Sequence, residues 1–165
     1  MLLKDISFII PVFNRPDEIN ELLKSFSELE GDKDFEIVIV EDGSNQRCNY
    51  IIENFSNLNI TYFFKKNSGP GDSRNFGMNV AKGKYFIILD SDIILPPDYN
   101  KILMKNLNQN FSDCFGGVDD SHHSFNYFQK AVSYSMTSFI TTGHIRGGNK
   151  SKDFQPRSFN MGISK

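Results

Sequence analysis

The stretch Lys84-Tyr85-Phe86-Ile87-Ile88-Leu89-Asp90-Ser91-Asp92 restricts the fold more than any other part of this chain. It is short, aromatic and β-branched, with Gly83 before it and Pro96-Pro97 after it, and it reads as a strand buried on both faces. Such a strand needs layers above and below it, as in a parallel sheet covered by helices. The apolar run stops abruptly at Asp90 and Asp92, so two carboxylates are expected at or just past the strand's carboxyl end. Open α/β sheets bind ligands at that edge. Carboxylates one residue apart repel each other unless a positive group lies between them, and a divalent cation with oxygen ligands suits the position. On its own, Asp-x-Asp more often has an ordinary reading, in which Asp90 caps a loop and Asp92 faces water.

The rest of the chain supplies the layers. Ser7 to Val12 reads as a first buried strand, ending or irregular at Pro11, which lacks a backbone donor. Pro16 suits the first turn of a helix whose apolar face is Ile19, Leu22, Leu23, Phe26 and Leu29, and which ends at Gly31-Asp32. A second strand runs from Phe35 to Val40, followed by Glu41-Asp42-Gly43-Ser44 as a loop. Cys48, Ile51, Ile52 and Phe55 have helical spacing, and Ile60 to Phe64 reads as a third strand. A helix is predicted from about Asp72 to Ala81, then the central strand, then a helix opened by Pro96-Pro97-Asp98 with Tyr99, Ile102, Leu103 and Leu107 on one side. This alternation predicts an α/β domain, a mostly parallel sheet with helices on both faces. After Phe111 the rhythm breaks. Cys114 to Val118 suits a short strand, Phe125, Phe128, Val132, Met136 and Phe139 suit one helical face, and Thr141 to Lys165 reads as loop.

At 165 residues the chain is long enough for one domain with a real core. Its net charge of −2 is spread along the sequence, and there is no basic block to suggest a nucleic-acid groove or a membrane surface. No apolar run approaches the length of a membrane-spanning helix, and Met1-Leu2-Leu3-Lys4 is too short for a signal peptide. Cys48 and Cys114 match no metal or redox spacing and are expected as free thiols in a reducing compartment, the cytoplasm or the cytoplasmic face of a membrane.

Three strand ends carry polar segments: Phe13-Asn14-Arg15, Glu41-Asp42-Gly43-Ser44 and Asp90-Ser91-Asp92. In a doubly wound sheet they lie along one edge. Gly69-Pro70-Gly71-Asp72-Ser73-Arg74-Asn75 opens a helix on that side, where a helix N-terminus and Arg74 would attract an anion. Carboxylates beside an anion site suggest a ligand that brings both phosphate and metal. Two phosphate-binding motifs fail on the letters. No glycine follows the first strand, and Arg74 stands where a dinucleotide fingerprint needs its third glycine. Gly83-Lys84 is followed by Tyr85 rather than Ser or Thr, so it is no P-loop.

Four blocks in order, Ile10 to Arg15, Val40 to Ser44, Asn67 to Gly77 and Gly83 to Asp92, resemble the family 2 glycosyltransferases, inverting enzymes with the GT-A fold. A weaker echo continues in Phe115-Gly116-Gly117 and Asn160-Met161. The resemblance implies roles. Pro11, Phe13 and Arg15 would line the base and phosphate pocket, and Asp42 would accept a hydrogen bond from the base, usually uracil. Glu41 stands open between ligand contact and structural acceptor. Gly71 and Arg74 would approach the donor's phosphates or sugar. Asp90 would reach the ribose or a metal-bound water, and Asp92 would ligate Mn²⁺ or Mg²⁺ on the diphosphate. The implied partners are a nucleotide sugar, a UDP-sugar above all, and a carbohydrate or lipid-linked acceptor.

Ordinary readings stand beside these. Asp42 before Gly43 also suits a turn, Arg74 a surface cation, and Lys65 and Lys66 solvated positions. Adjacent His122 and His123 read as loop residues. The family's general base is a carboxylate in an acidic motif well after the metal pair, and no such motif follows Asn160-Met161 here. Asp119, Asp120 or Asp153 would serve instead, but the resemblance rather implies that the single domain spanning residues 1–165 is cut short on its acceptor side. Two competing readings are a nucleotide-sugar-binding module without transfer activity, and a nucleotidyltransferase. The latter needs a Gly-rich basic loop after the first strand, which Pro11 to Arg15 is not.

Overall fold

A computed structural model of the chain describes residues 1–117, residues 127, 128, 131 and 134, and residues 160–165. The elements are β1 (Ile6–Val12), α1 (Pro16–Ser27), β2 (Glu36–Asp42), α2 (Asn49–Ile52), β3 (Ile60–Lys65), α3 (Pro70–Val80), β4 (Tyr85–Leu89), α4 (Tyr99–Gln109), β5 (Cys114–Gly116) and β6 (Asn160–Ser164). They form one sheet in the order β3-β2-β1-β4-β6-β5. The first four strands are parallel, as the strand–helix alternation predicts, and β6 runs antiparallel between β4 and β5.

The two faces follow from the alternation of side chains along each strand. Phe8, Ile10, Val12, Ile37, Ile39, Ile87 and Leu89 join the core that includes Ile19, Leu22, Leu23 and Phe26 of α1 and Leu103 and Leu107 of α4. Phe8 anchors this layer, with its ring edge-on to Phe26 at 4.9 Å and to Phe35 at 5.1 Å. Each fully buried side chain of this size contributes about 1.5–3 kcal/mol relative to exposure. On the other face, Ile9, Val38, Val40, Phe86 and Ile88 meet Phe76, Met78 and Val80 of α3. Gly77 lets α3 lie this close, because a Cβ there would stand 2.5 Å from Ile9 Cγ2. Helices on both faces explain why the central strand carries no polar alternation.

Several expectations are corrected. Pro11 lies inside β1, opposite Val40, and the pairing of β1 with β4 already ends at Ile9, so the missing donor interrupts no bond to β4. β2 continues through Glu41 and Asp42, because β3 pairs with it as far as Asp42 opposite Lys65. The helix read from Cys48 to Phe55 is a single turn, Asn49–Ile52, and Cys48, Ile51 and Phe55 are buried from turn and loop. On α4 the buried stripe is Asn100, Leu103 and Leu107, while Ile102 is 49% exposed. Residues 160–164 form a strand rather than loop. Met161 and Ile163 pack against the α3-side core, and Gly162 leaves room for the Phe115 ring, which a Cβ would meet at 2.1 Å. Of the helical face expected from Phe125 to Phe139, only Phe128 falls among the described residues, and it is exposed. Among the described residues no helix is long and apolar enough to cross a membrane.

Candidate functional site

The carboxyl ends of β1, β2 and β4 and the start of α3 meet along one edge of the sheet. Asn14 laces the first two loops together. Its backbone takes the left-handed conformation, φ 52°, which Asn tolerates better than most residues. Its N–H donates to Ser44 Oγ at 2.8 Å, and its Oδ1 accepts from the N–H groups of Asn45 at 2.8 Å and Gln46 at 3.2 Å.

The acidic pair at the end of β2 is turned into the protein. Glu41 is fully buried. Its Oε2 accepts from the Cys48 N–H at 2.9 Å and from the Tyr62 hydroxyl at 2.5 Å, while Oε1 has no partner. Burial first, and the Glu41 charge second, push the Cys48 thiol up to about 12, while burial and then the hydrogen bond to Glu41 raise the Tyr62 phenol. Asp42 is 3% exposed. Its carboxylate accepts from Lys65 Nζ at 2.5 Å, the Ser68 N–H at 2.9 Å and the Gly69 N–H at 2.8 Å. Its backbone carbonyl accepts from Asn67 Nδ2 at 2.9 Å. Burial works to raise the Asp42 carboxyl, but the hydrogen bonds from Lys65, Ser68 and Gly69 outweigh it and hold it below the usual carboxylate range. Lys65 also reaches Asp72 at 3.3 Å and hydrogen-bonds Ser68 Oγ. The turn depends on Gly43, whose φ is +75° and whose Cβ, if present, would sit 2.6 Å from Asn67 N. Asp42 thus holds the loop that leads into α3, and its Oδ2, which accepts from Gly69 alone, keeps a lone pair for one further donor.

The acidic pair after β4 is open. Asp92 accepts from Arg15 at 2.5 Å, and the two side chains are 51% and 46% exposed. Asp90 accepts from Arg74 of α3 at 2.9 Å, with side chains 39% and 19% exposed. Arg74 Nε is buried without a partner. Asp90 is paired through Oδ1 and Asp92 through Oδ2, and both keep solvent access, so oxygen lone pairs remain available to a ligand. Among the described residues no group of three or more His, Cys, Asp or Glu is placed to hold a metal ion. The donor set is nonetheless chemically suited to Mg²⁺ or Mn²⁺: two hard carboxylates supply part of a shell that a diphosphate and water would complete.

Phe13, 50% exposed, follows β1 at this edge, and Pro11 lies two residues before it in the strand. Gly71 lies in the first turn of α3 with open space where a Cβ would be. Of the sequence candidates, Pro11, Phe13, Arg15, Glu41, Asp42, Gly71, Arg74, Asp90 and Asp92 therefore all belong to the strand ends and helix start at this edge. Asp119, Asp120, Asp153, His122 and His123 lie outside the described residues. Sequence reasoning missed Asn14, Tyr62 and Lys65. The signal for Lys65 was its register, directly opposite Asp42.

Residues 7–161 match the family model described as glycosyl transferase family 2. The chain is 40% identical over 141 residues to an uncharacterized glycosyltransferase of Rickettsia conorii, covering 85% of this chain and 22% of that protein. It is 33% identical over 129 residues to the glycosyltransferase GlyA of Streptococcus pneumoniae serotype 4, covering 76% of this chain and 18% of that one. It therefore spans about a fifth of the length of these two relatives. Among solved structures, the 1–349 part of Staphylococcus aureus TarS in complex with UDP-GlcNAc matches with a TM-score of 0.67 at 28% identity, over 73% of this chain and 36% of that one. A Pyrobaculum calidifontis mannosyltransferase in complex with GDP-Man and Mn²⁺ shares the fold, with a TM-score of 0.64 at 21% identity over 70% of this chain and 36% of that one. With the family model matched along nearly its whole length, the chain belongs to glycosyl transferase family 2.

Proposed function

We propose that these residues form the donor-binding half of an inverting glycosyltransferase that moves a sugar from a UDP-sugar to a hydroxyl of a carbohydrate or lipid-linked acceptor, with Mn²⁺ or Mg²⁺ as cofactor. The observation that carries this reading is the pair of arginine–aspartate contacts, Arg15–Asp92 and Arg74–Asp90, beside the start of α3. Two guanidinium groups and a helix N-terminus attract a diphosphate, and two solvent-accessible carboxylates attract the cation that accompanies it. Bound at Asp92 and Asp90, the cation would offset the negative charge that develops on the departing nucleoside diphosphate. Arg74 would orient the phosphates from a position fixed by Asp90, and its unpartnered Nε leaves it a donor to give. Phe13 and Pro11 would give the base an apolar surface. UDP is preferred because TarS, 28% identical, is known in complex with UDP-GlcNAc. The general base would be a carboxylate, with Asp119, Asp120 and Asp153 as its candidates in this sequence. The cytoplasm, or the cytoplasmic face of a membrane, is the proposed compartment, in keeping with the free thiols of Cys48 and Cys114.

A thermal-shift panel of UDP-GlcNAc, UDP-glucose and GDP-mannose, each with Mn²⁺ or with a chelator, tests the reading. A ligand at one hundred times its Kd stabilises the folded state by about 2.7 kcal/mol. For a chain of this size that corresponds to roughly 5–10 °C in Tm. A UDP-sugar should give such a shift with Mn²⁺ and a much smaller one without it. No shift from any nucleotide sugar would refute the proposal.

A further inference from the structure

The two arginine–aspartate pairs at the site differ in kind. Arg74 is mostly buried and projects from α3, so its contact with Asp90 is part of the way that helix sits on the sheet. Arg15 belongs to the short loop between β1 and α1, and both it and Asp92 are about half exposed. Its guanidinium, 2.5 Å from Asp92 Oδ2, occupies a carboxylate oxygen that an incoming cation would use and places a positive charge where that cation would arrive. A free divalent cation that takes Oδ2 must displace Arg15 from its closest counter-charge, and one that takes the open Oδ1 lies beside the guanidinium and is repelled by it. A cation that comes with a diphosphate meets a different balance, because phosphate oxygens give Arg15 a new planar, bidentate partner as Asp92 is released.

We propose that Arg15 determines what the donor site admits: by pairing with Asp92 it disfavours a bare divalent cation and favours one delivered with a nucleoside diphosphate. The inference rests on the donor-site reading above. It makes cation and nucleotide bind cooperatively, and by linkage each tightens the other by the same factor. An exposed ion pair accounts for a few-fold in affinity, and like-charge repulsion of a divalent ion adds to that, so removing the Arg15 charge should change cation affinity by about three- to tenfold.

The test is an electron paramagnetic resonance titration of MnCl₂ into the whole chain, wild type and Arg15→Gln, with and without UDP. Circular dichroism checks that the variant is folded, and Arg15 is exposed enough for the change to be tolerated. Without UDP, Arg15→Gln should bind Mn²⁺ about three- to tenfold tighter than wild type, and added KCl should narrow the gap. With UDP, the factor by which the nucleotide tightens Mn²⁺ binding should be smaller in Arg15→Gln than in wild type. If wild type binds Mn²⁺ with UDP but Arg15→Gln binds Mn²⁺ alone no more tightly, the inference is wrong and the donor site stands. If wild type binds Mn²⁺ neither alone nor with UDP, the donor-site reading falls and this inference with it.

Discussion

Glu41-Asp42 and Asp90-Ser91-Asp92 look alike as letters, and in the sheet only β1 separates the strands that carry them. Their surroundings differ. The first pair is buried to 0% and 3% exposure and bonded to Cys48, Tyr62, Lys65, Ser68 and Gly69. The second keeps side chains 39% and 51% exposed, and each carboxylate holds a single arginine. Carboxylates at a strand's carboxyl end can therefore either build the edge or serve it. What decides is whether the neighbouring strand and loop close over them, as β3 and residues 65–69 close over Asp42.

If the β2 pair is structural, removing it should cost stability first. Asp42→Ala strips Lys65 of its closest counter-charge and leaves the Ser68 and Gly69 N–H groups without their acceptor. The expected loss is about 3 kcal/mol, or roughly 6–12 °C in Tm, read by urea denaturation and calorimetry. Gly43→Ala should cost somewhat less, about 2 kcal/mol, because alanine must adopt a positive φ and meets Asn67. Asp42 also predicts a pH dependence. Its folded carboxyl lies below the usual range, so its contribution is fully present above the unfolded value near pH 4 and is lost as pH falls through the folded one. Urea midpoints of wild type should fall on acidification below about pH 4, and that component should be absent in Asp42→Asn. Smallest of all, Asp92→Asn should change stability by less than about 0.5–1 kcal/mol, since it breaks only an exposed pair. A large loss in Asp92→Asn, or none in Asp42→Ala, would break the contrast.

The part of this that sequence could reveal was the part encoded locally. Strand–helix alternation through Leu107 is carried by apolar runs and helical stripes, and it predicted the parallel sheet that β1 to β4 form. The four blocks named the candidate residues that the fold brings to one sheet edge. What escaped depended on distant partners. β6 is five residues long and owes its place to β4 on one side and β5 on the other. Its Met161 and Ile163 alternate with Asn160, Gly162 and Ser164, a signal too short to stand out beside the polar stretch before it. Lys65 read as solvated because lysines usually are. Only its register opposite Asp42 shows it as a largely covered counter-ion. For the same reason the letters could not tell the closed acidic pair from the open one.

The central claim is that the open pair, and Asp92 in particular, binds a nucleotide together with a divalent cation. Isothermal titration of UDP into wild type and Asp92→Ala, each with Mn²⁺ and with a chelator, tests it most directly. Wild type should bind UDP at least tenfold more tightly with Mn²⁺ than without, a difference of about 1.4 kcal/mol, and Asp92→Ala should bind it weakly and almost equally in both. Equal dependence on Mn²⁺ in the two proteins would contradict the account.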